Sequence, residues 1–190
     1  MGLDLRCAVI LHALLGGGKT STARAAAKMA KADGLKVMGI LSLRVLNSGE
    51  YPCYDLLELD TGNTMPLVKP QGEASEEGWE SYDNPRFVFS KKGFYFANLA
   101  LRRGAEEMRD GVVVFVDEFG KLESQRKGIY SGAVMVADGL KRGGVAVYLC
   151  RDDKVKEVID LVKARAERVF NLEAGDADAL MRIIRGCSKL

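Results

Sequence analysis

The chain has 190 residues, 47% of them hydrophobic and 28% charged, with a net charge of +2. That is enough apolar material for a substantial core, and one domain spanning residues 1–190 is expected. The near-neutral balance and the absence of a dominant basic run argue against a nucleic-acid binder, and the longest apolar run, Gly111 to Val116, is far too short to span a membrane.

The first residues, MGLDLRCAVILHALL, carry an acid near their start and no small-residue cleavage site, so a signal peptide is not expected. Gly2 is followed by Arg6 where a myristoylation signal places Ser or Thr. The four cysteines, Cys7, Cys53, Cys150 and Cys187, are scattered and form no CxxC, and they read as reduced, packed thiols of a cytoplasmic protein. Cys7 to His12 is β-rich and predicts a buried strand, and alanine-rich Lys19 to Asp33 predicts a helix capped by Gly34. Val37 to Leu43 predicts a second strand. In YDLLELDTGNTMPLV two apolar stretches flank the turn Asp60-Thr61-Gly62-Asn63, which predicts a hairpin. Gln71 to Pro85 is acidic and polar and reads as an exposed loop, with Trp79 either pinning it to the body or touching a ligand.

Arg86 to Phe89 predicts a short strand, and Ser90 caps a helix running to about Arg109. The β-branched run Gly111 to Val116 predicts a strand buried on both faces. Helices are expected near Arg126 to Lys141 and Asp152 to Ala166, with a strand at Val145 to Leu149 between them. A last strand, Val169 to Leu172, and a last helix, Asp176 to Arg185, complete an alternation of strand and helix that implies a largely parallel α/β sheet.

The stretch Ala13-Leu14-Leu15-Gly16-Gly17-Gly18-Lys19-Thr20 has the spacing of a phosphate-binding P-loop, with alanine in place of the first glycine. It falls between a predicted strand and a predicted helix, as the mechanism requires. Glycines leave the main-chain N–H groups bare, so that a polyphosphate can approach them, and the helix adds its positive end. Leu15, Gly16, Gly17, Gly18, Lys19, Thr20 and Ser21 are therefore the expected nucleotide-binding residues, with Lys19 also catalytic on the β- and γ-phosphates. The Thr20 hydroxyl is the first expected Mg²⁺ ligand. His12, just before the loop, either fills space at a strand end or contacts the nucleotide.

The second constellation is GVVVFVDEFGKLE, Gly111 to Glu123. A buried strand delivers Asp117 to the carboxyl edge of the sheet, where it is the second expected Mg²⁺ ligand, and Glu118 beside it reads as the general base that activates water. Glu118 has a lesser reading as a Mg²⁺ or structural partner. Lys121 and Glu123 either face each other as a surface ion pair or position the γ-phosphate.

These two stretches, LGGGKTST at Leu15 to Thr22 and VVVFVDEFGKLE at Val112 to Glu123, resemble the nucleoside-triphosphatase family first known from thermophiles and called cancer-related nucleoside-triphosphatase in animals. The family's Asp-Glu-x-Gly-x-x-Glu pattern is met at Asp117, Glu118, Gly120 and Glu123. The resemblance implies Mg²⁺-dependent hydrolysis of nucleoside triphosphates to diphosphate and phosphate with loose choice of base. It also implies a RecA-like, mostly parallel sheet flanked by helices, with a small antiparallel hairpin added. In such a sheet Val145 to Leu149 would lie between the P-loop strand and the Asp117 strand, bringing Cys150 and a candidate sensor, Arg151, near the γ-phosphate. The chain departs from the family's habit at Ala13 and Leu15, and at Tyr51-Pro52-Cys53-Tyr54, where an Arg-x-Gly-Phe-like stretch is usual. A small-molecule or nucleotide kinase, or a nucleotide-binding regulator with negligible turnover, would share the P-loop. The expected partners are nucleoside triphosphates such as ATP or GTP, with no membrane and no nucleic acid, and the expected state is a monomer. Arg102, Arg103 and Arg126 are further possible charge donors.

Overall fold

Strand β7 (Val112–Phe119) shows why the sheet is covered on both faces: Val112, Val114 and Val116 enter one core cluster, while Val113 and Phe115 enter another. Period-two alternation with both sets apolar is the mark of a strand between two helical layers. The computed structural model describes residues 5–45, 51–73, 77–82 and 86–188, so the expectations on Gly2 and on residues 74–76 and 83–85 of the Gln71 to Pro85 segment fall outside it. Its strands form one nine-stranded sheet.

The parallel part consists of β1 (Arg6–Ala13), β2 (Lys36–Val45), β7, β8 (Gly144–Arg151) and β9 (Arg168–Glu173), in the order β2-β7-β8-β1-β9. Strand β8 thus lies between the P-loop strand and the Asp117 strand, as the resemblance implied. Helices α1 (Lys19–Ala32) and α6 (Ala177–Cys187) cover one face. On α1 the buried positions are Thr22, Ala23, Ala26, Ala27 and Ala30, so small side chains let this helix lie close to the strands. The other face carries α2 (Lys91–Glu107), α4 (Tyr130–Gly139) and α5 (Val155–Val162). The side chain of Ser90 caps α2 by accepting from the Gly93 amide at 3.0 Å.

Three expectations are corrected. The antiparallel addition is larger than one hairpin: β3 (Cys53–Glu58), β4 (Thr64–Pro70), β6 (Phe87–Ser90) and β5 (Trp79–Ser81) extend the sheet beyond β2 in the order β3-β4-β6-β5. The Gln71 to Pro85 segment accordingly holds a strand as well as loop, with Trp79 paired to Ser90 and the Lys69 amine 4.9 Å from its ring. Three residues of mixed polarity at a sheet edge give no alternation to read. The helix expected near Arg126 to Lys141 is the shorter α4 followed by a 3₁₀ turn at Leu140–Arg142, and a separate short helix, α3 (Lys121–Ser124), precedes it.

The third correction concerns the cysteines. Cys7 on β1 and Cys187 at the end of α6 form a disulfide, with Cα atoms 6.2 Å apart. Packing of α6 across the face of β1 joins residues 180 positions apart. The pairing removes the ground on which a reducing compartment was expected. Cys150 is a free thiol, and the Cys53 thiol lies 3.7 Å from Glu73 Oε2. Among the described residues no helix is long and apolar enough to cross a membrane.

Candidate active site

The loop from Ala13 to Lys19 leaves β1 at its carboxyl end and turns into α1. Gly16 and Gly18 have φ of 75° and 79°, a region side-chain-bearing residues avoid. Gly17 is required for another reason: a Cβ there would lie 2.7 Å from the Ala13 methyl. The alanine that replaces the usual leading glycine is thus accommodated by the absence of a side chain four residues on. Thr22 ties the loop down from behind, its hydroxyl donating to the Gly18 carbonyl at 3.0 Å and accepting from the Gly175 amide at 3.0 Å. Leu14 and Leu15 form the exposed rim, at 74% and 83% exposure, and Ser21 is exposed at the start of α1.

Lys19 folds back over this loop, donating to the carbonyls of Ala13 at 3.2 Å and Leu14 at 3.1 Å. Thr20, next to it, donates its hydroxyl to Asp117 Oδ2 at 2.9 Å. Asp117 is 3% exposed, and its carboxylate also accepts the amides of Ser42 and Glu118, each at 2.9 Å. The P-loop and the end of β7 therefore meet in one place, although 97 residues separate Thr20 from Asp117. Burial pushes the Asp117 carboxyl up, against the three donors and Lys19, which lower it.

Glu118 follows with φ of 75°, one of two non-glycine residues in that region among those described. A bulky residue there is strained, and such strain concentrates at functional sites. The backbone turn swings its side chain away from the core, so that it is reachable by solvent even though protein surrounds the cleft closely. Desolvation in that cleft, then the Asp117 charge, then more weakly Glu123, raise its carboxyl to about 7, opposed by Ser42 and Lys19. A carboxylate tuned to this range suits proton transfer near neutral pH.

Glu123 is not a surface partner of Lys121. It is 4% exposed, and its carboxylate accepts the Gly120 amide at 2.9 Å and the Ile129 amide at 3.0 Å. It pins the segment that follows the two acids. His12 Nδ1 lies 2.7 Å from Asp152 Oδ1, which assigns its ring to a neighbouring turn. Arg151 pairs with Asp153 at 3.1 Å, Arg102 with Glu106 at 2.8 Å, and Arg103 with buried Glu58. Cys150 is buried beneath the loop, and burial raises its thiol to about 12.

Two residues beside the acids were not visible in the sequence. Ser42 meets Asp117 through its amide. Tyr54 on β3 lies opposite Arg44 in register; burial first, and then the Glu118 charge, push its hydroxyl up. Both sit on strands whose register only the fold defines. A groove of about 420 Å³ lies elsewhere, between β9 and α6, lined by Arg168, Phe170, Arg182 and Ile183. It holds neither the loop nor the paired acids, so the chemistry belongs to the carboxyl edge, where open α/β sheets bind ligands.

The residues fit a hard, oxygen-seeking cation. One hydroxyl and one carboxylate share the point where Thr20 and Asp117 meet, and no group of three or more His, Cys, Asp and Glu side chains converges among the described residues. That sparse donor set suits Mg²⁺, which keeps several waters and takes its other oxygens from substrate phosphates.

Fold and site together define a P-loop protein of the α/β class. The sequence model of a family described as NTPase matches residues 8–185, and the chain belongs to that family of nucleoside-triphosphate hydrolases. Two solved structures are similar. A solution structure of a human cancer-related nucleoside triphosphatase is 22% identical with a TM-score of 0.67, over 96% of each chain. The crystal structure of THEP1 from the hyperthermophile Aquifex aeolicus is 14% identical with a TM-score of 0.64, over 96% of this chain and 99% of that one. Among curated proteins none matches.

Proposed function

We propose that the protein hydrolyses nucleoside triphosphates to diphosphate and phosphate, with Mg²⁺ and little selectivity for the base. The observation that carries this reading is the 2.9 Å contact between the Thr20 hydroxyl and Asp117, with Glu118 the next residue. The bare amides from Leu15 to Ser21 receive the phosphates. Lys19 leaves the two carbonyls it now caps and moves its charge to the β- and γ-phosphates. Thr20 and Asp117 would hold Mg²⁺, which would supply positive charge to the phosphate oxygens. Glu118 accepts a proton from water as that water attacks the γ-phosphorus and the bond to the bridging oxygen breaks, its electrons passing to the β-phosphate. These roles lie within one chain, so the reading takes the protein as a monomer. Loose base choice is what the family resemblance implies, and the sequence has no Asn-Lys-x-Asp motif of a Ras-type guanine-nucleotide switch.

The test is phosphate release from a panel of nucleoside triphosphates with no acceptor added, with and without Mg²⁺. Release from several bases, only with Mg²⁺, is expected. Lys19→Ala weakens binding or turnover. Glu118→Gln keeps nucleotide binding and loses about 10²–10⁴-fold in kcat, the usual worth of a positioned base. Wild-type turnover by Glu118→Gln, or phosphate transfer only to an added acceptor, would refute the reading.

A further inference from the structure

Ser42 lends its amide to Asp117, but its side chain raises a separate question. The residue is 3% exposed, and its hydroxyl oxygen is enclosed without a hydrogen-bond partner of proper geometry. Buried hydroxyls are nearly always satisfied, and an orphan asks for a reason.

The register supplies one. Strand β2 pairs with β7 up to the rung Ile40–Val116. Beyond it the strands part, and two residues further along each strand stand Ser42 and Glu118. Both donate their main-chain amides to the Asp117 carboxylate, each at 2.9 Å, so the two residues flank one group. The hydroxyl makes no hydrogen bond in the chain as it stands. Main-chain φ of 75° fixes where the Glu118 side chain starts, but its remaining torsions leave the carboxylate free to swing.

We propose that Ser42 is a positioning residue for hydrolysis, its hydroxyl fixing the Glu118 carboxylate and the water between them for attack on the γ-phosphorus. This deepens the reading of Glu118 as the base and rests on it. An attacking water directs its lone pair at phosphorus only when both its hydrogens are held. Glu118 takes one as the new P–O bond forms and the bond to the bridging oxygen breaks. The Ser42 oxygen accepts the other, while its own hydrogen goes to the Glu118 carboxylate, since a serine hydroxyl both donates and accepts. The water proton leaves Glu118 after phosphate departs. Alanine can do neither task, whereas threonine keeps the hydroxyl.

The experiment compares Ser42→Ala, Ser42→Thr, Glu118→Gln and the double variant Ser42→Ala/Glu118→Gln. Hydrolysis is measured at saturating Mg²⁺ and ATP, binding with a non-hydrolysable ATP analogue, and folding by thermal melt. Ser42→Ala is expected to lose on the order of 10–100-fold in kcat, the usual worth of a group that orients a reacting one. Analogue affinity stays within about twofold, the melt is unchanged, and Ser42→Thr recovers most of the rate. The double variant is little slower than Glu118→Gln, because the two act as a unit. A wild-type rate for Ser42→Ala while Glu118→Gln is inactive overturns this proposal and leaves the base in place. Parallel loss of rate, affinity and melting temperature without recovery by Ser42→Thr also overturns it. Full activity of Glu118→Gln removes the base itself, and the proposal with it.

Discussion

Glu118 concentrates two costs on one residue, a left-handed backbone and a charge beside Asp117. The second has a sign that can be worked out. In the unfolded chain this carboxyl ionises in the ordinary glutamate range; in the folded chain it holds its proton to about 7, and Asp117 and Glu123 are shifted in the same direction. The folded state therefore binds more protons than the unfolded one between those limits, so its stability is fully present below the lower limit and declines as pH rises through the upper. In a chelating buffer the melting temperature should fall between about pH 5 and 8, where ordinary carboxylates no longer titrate. Glu118→Gln should flatten that slope, and an unchanged slope would contradict the charge crowding described here. Asp117 and Glu118 were legible in the sequence because a motif that directly follows a buried run is local information. Ser42 and Tyr54 were not, because they reach the site only through the pairing of β2 with its two neighbours.

Among the elements, the segment from Gly120 to Ile129 depends on one buried carboxylate. Sequence left Glu123 divided between a surface pair and a phosphate contact, and the structure gives it the amides of Gly120 and Ile129 instead. A turn that folds back on its own third residue has no periodicity to betray it. Truncation by Glu123→Ala leaves two donors without an acceptor, one of them on fully buried Ile129. A loss of about 2–6 kcal/mol in urea unfolding is expected, at about 1–3 kcal/mol for each stranded group, accompanied by slower turnover. A variant as stable as the parent would mean that the segment is held some other way. The P-loop was the most readable element, since its glycines mark their own geometry. The antiparallel extension beyond the β3–β4 hairpin was the least, being built of short strands with mixed polarity.

For the molecule as a whole, the alternation of strand and helix foretold the parallel layer and the family resemblance implied the place of β8, while the bond between Cys7 and Cys187 lay beyond any spacing rule. That bond constrains nearly the entire chain. By chain entropy a closure of this length stabilises by about 5 kcal/mol, so reduction under mild denaturant should shift the urea midpoint markedly downward. Coincident unfolding curves with and without reductant would show that the closure contributes nothing. Both sulfur atoms belong to fully buried residues in the core beneath α1 and α6, so a reductant gains access only when that layer opens. The closure also makes the polypeptide a loop in the covalent sense. A protease that nicks any peptide bond between the two cysteines severs the backbone without releasing a fragment, and the product migrates as one species until thiol is added.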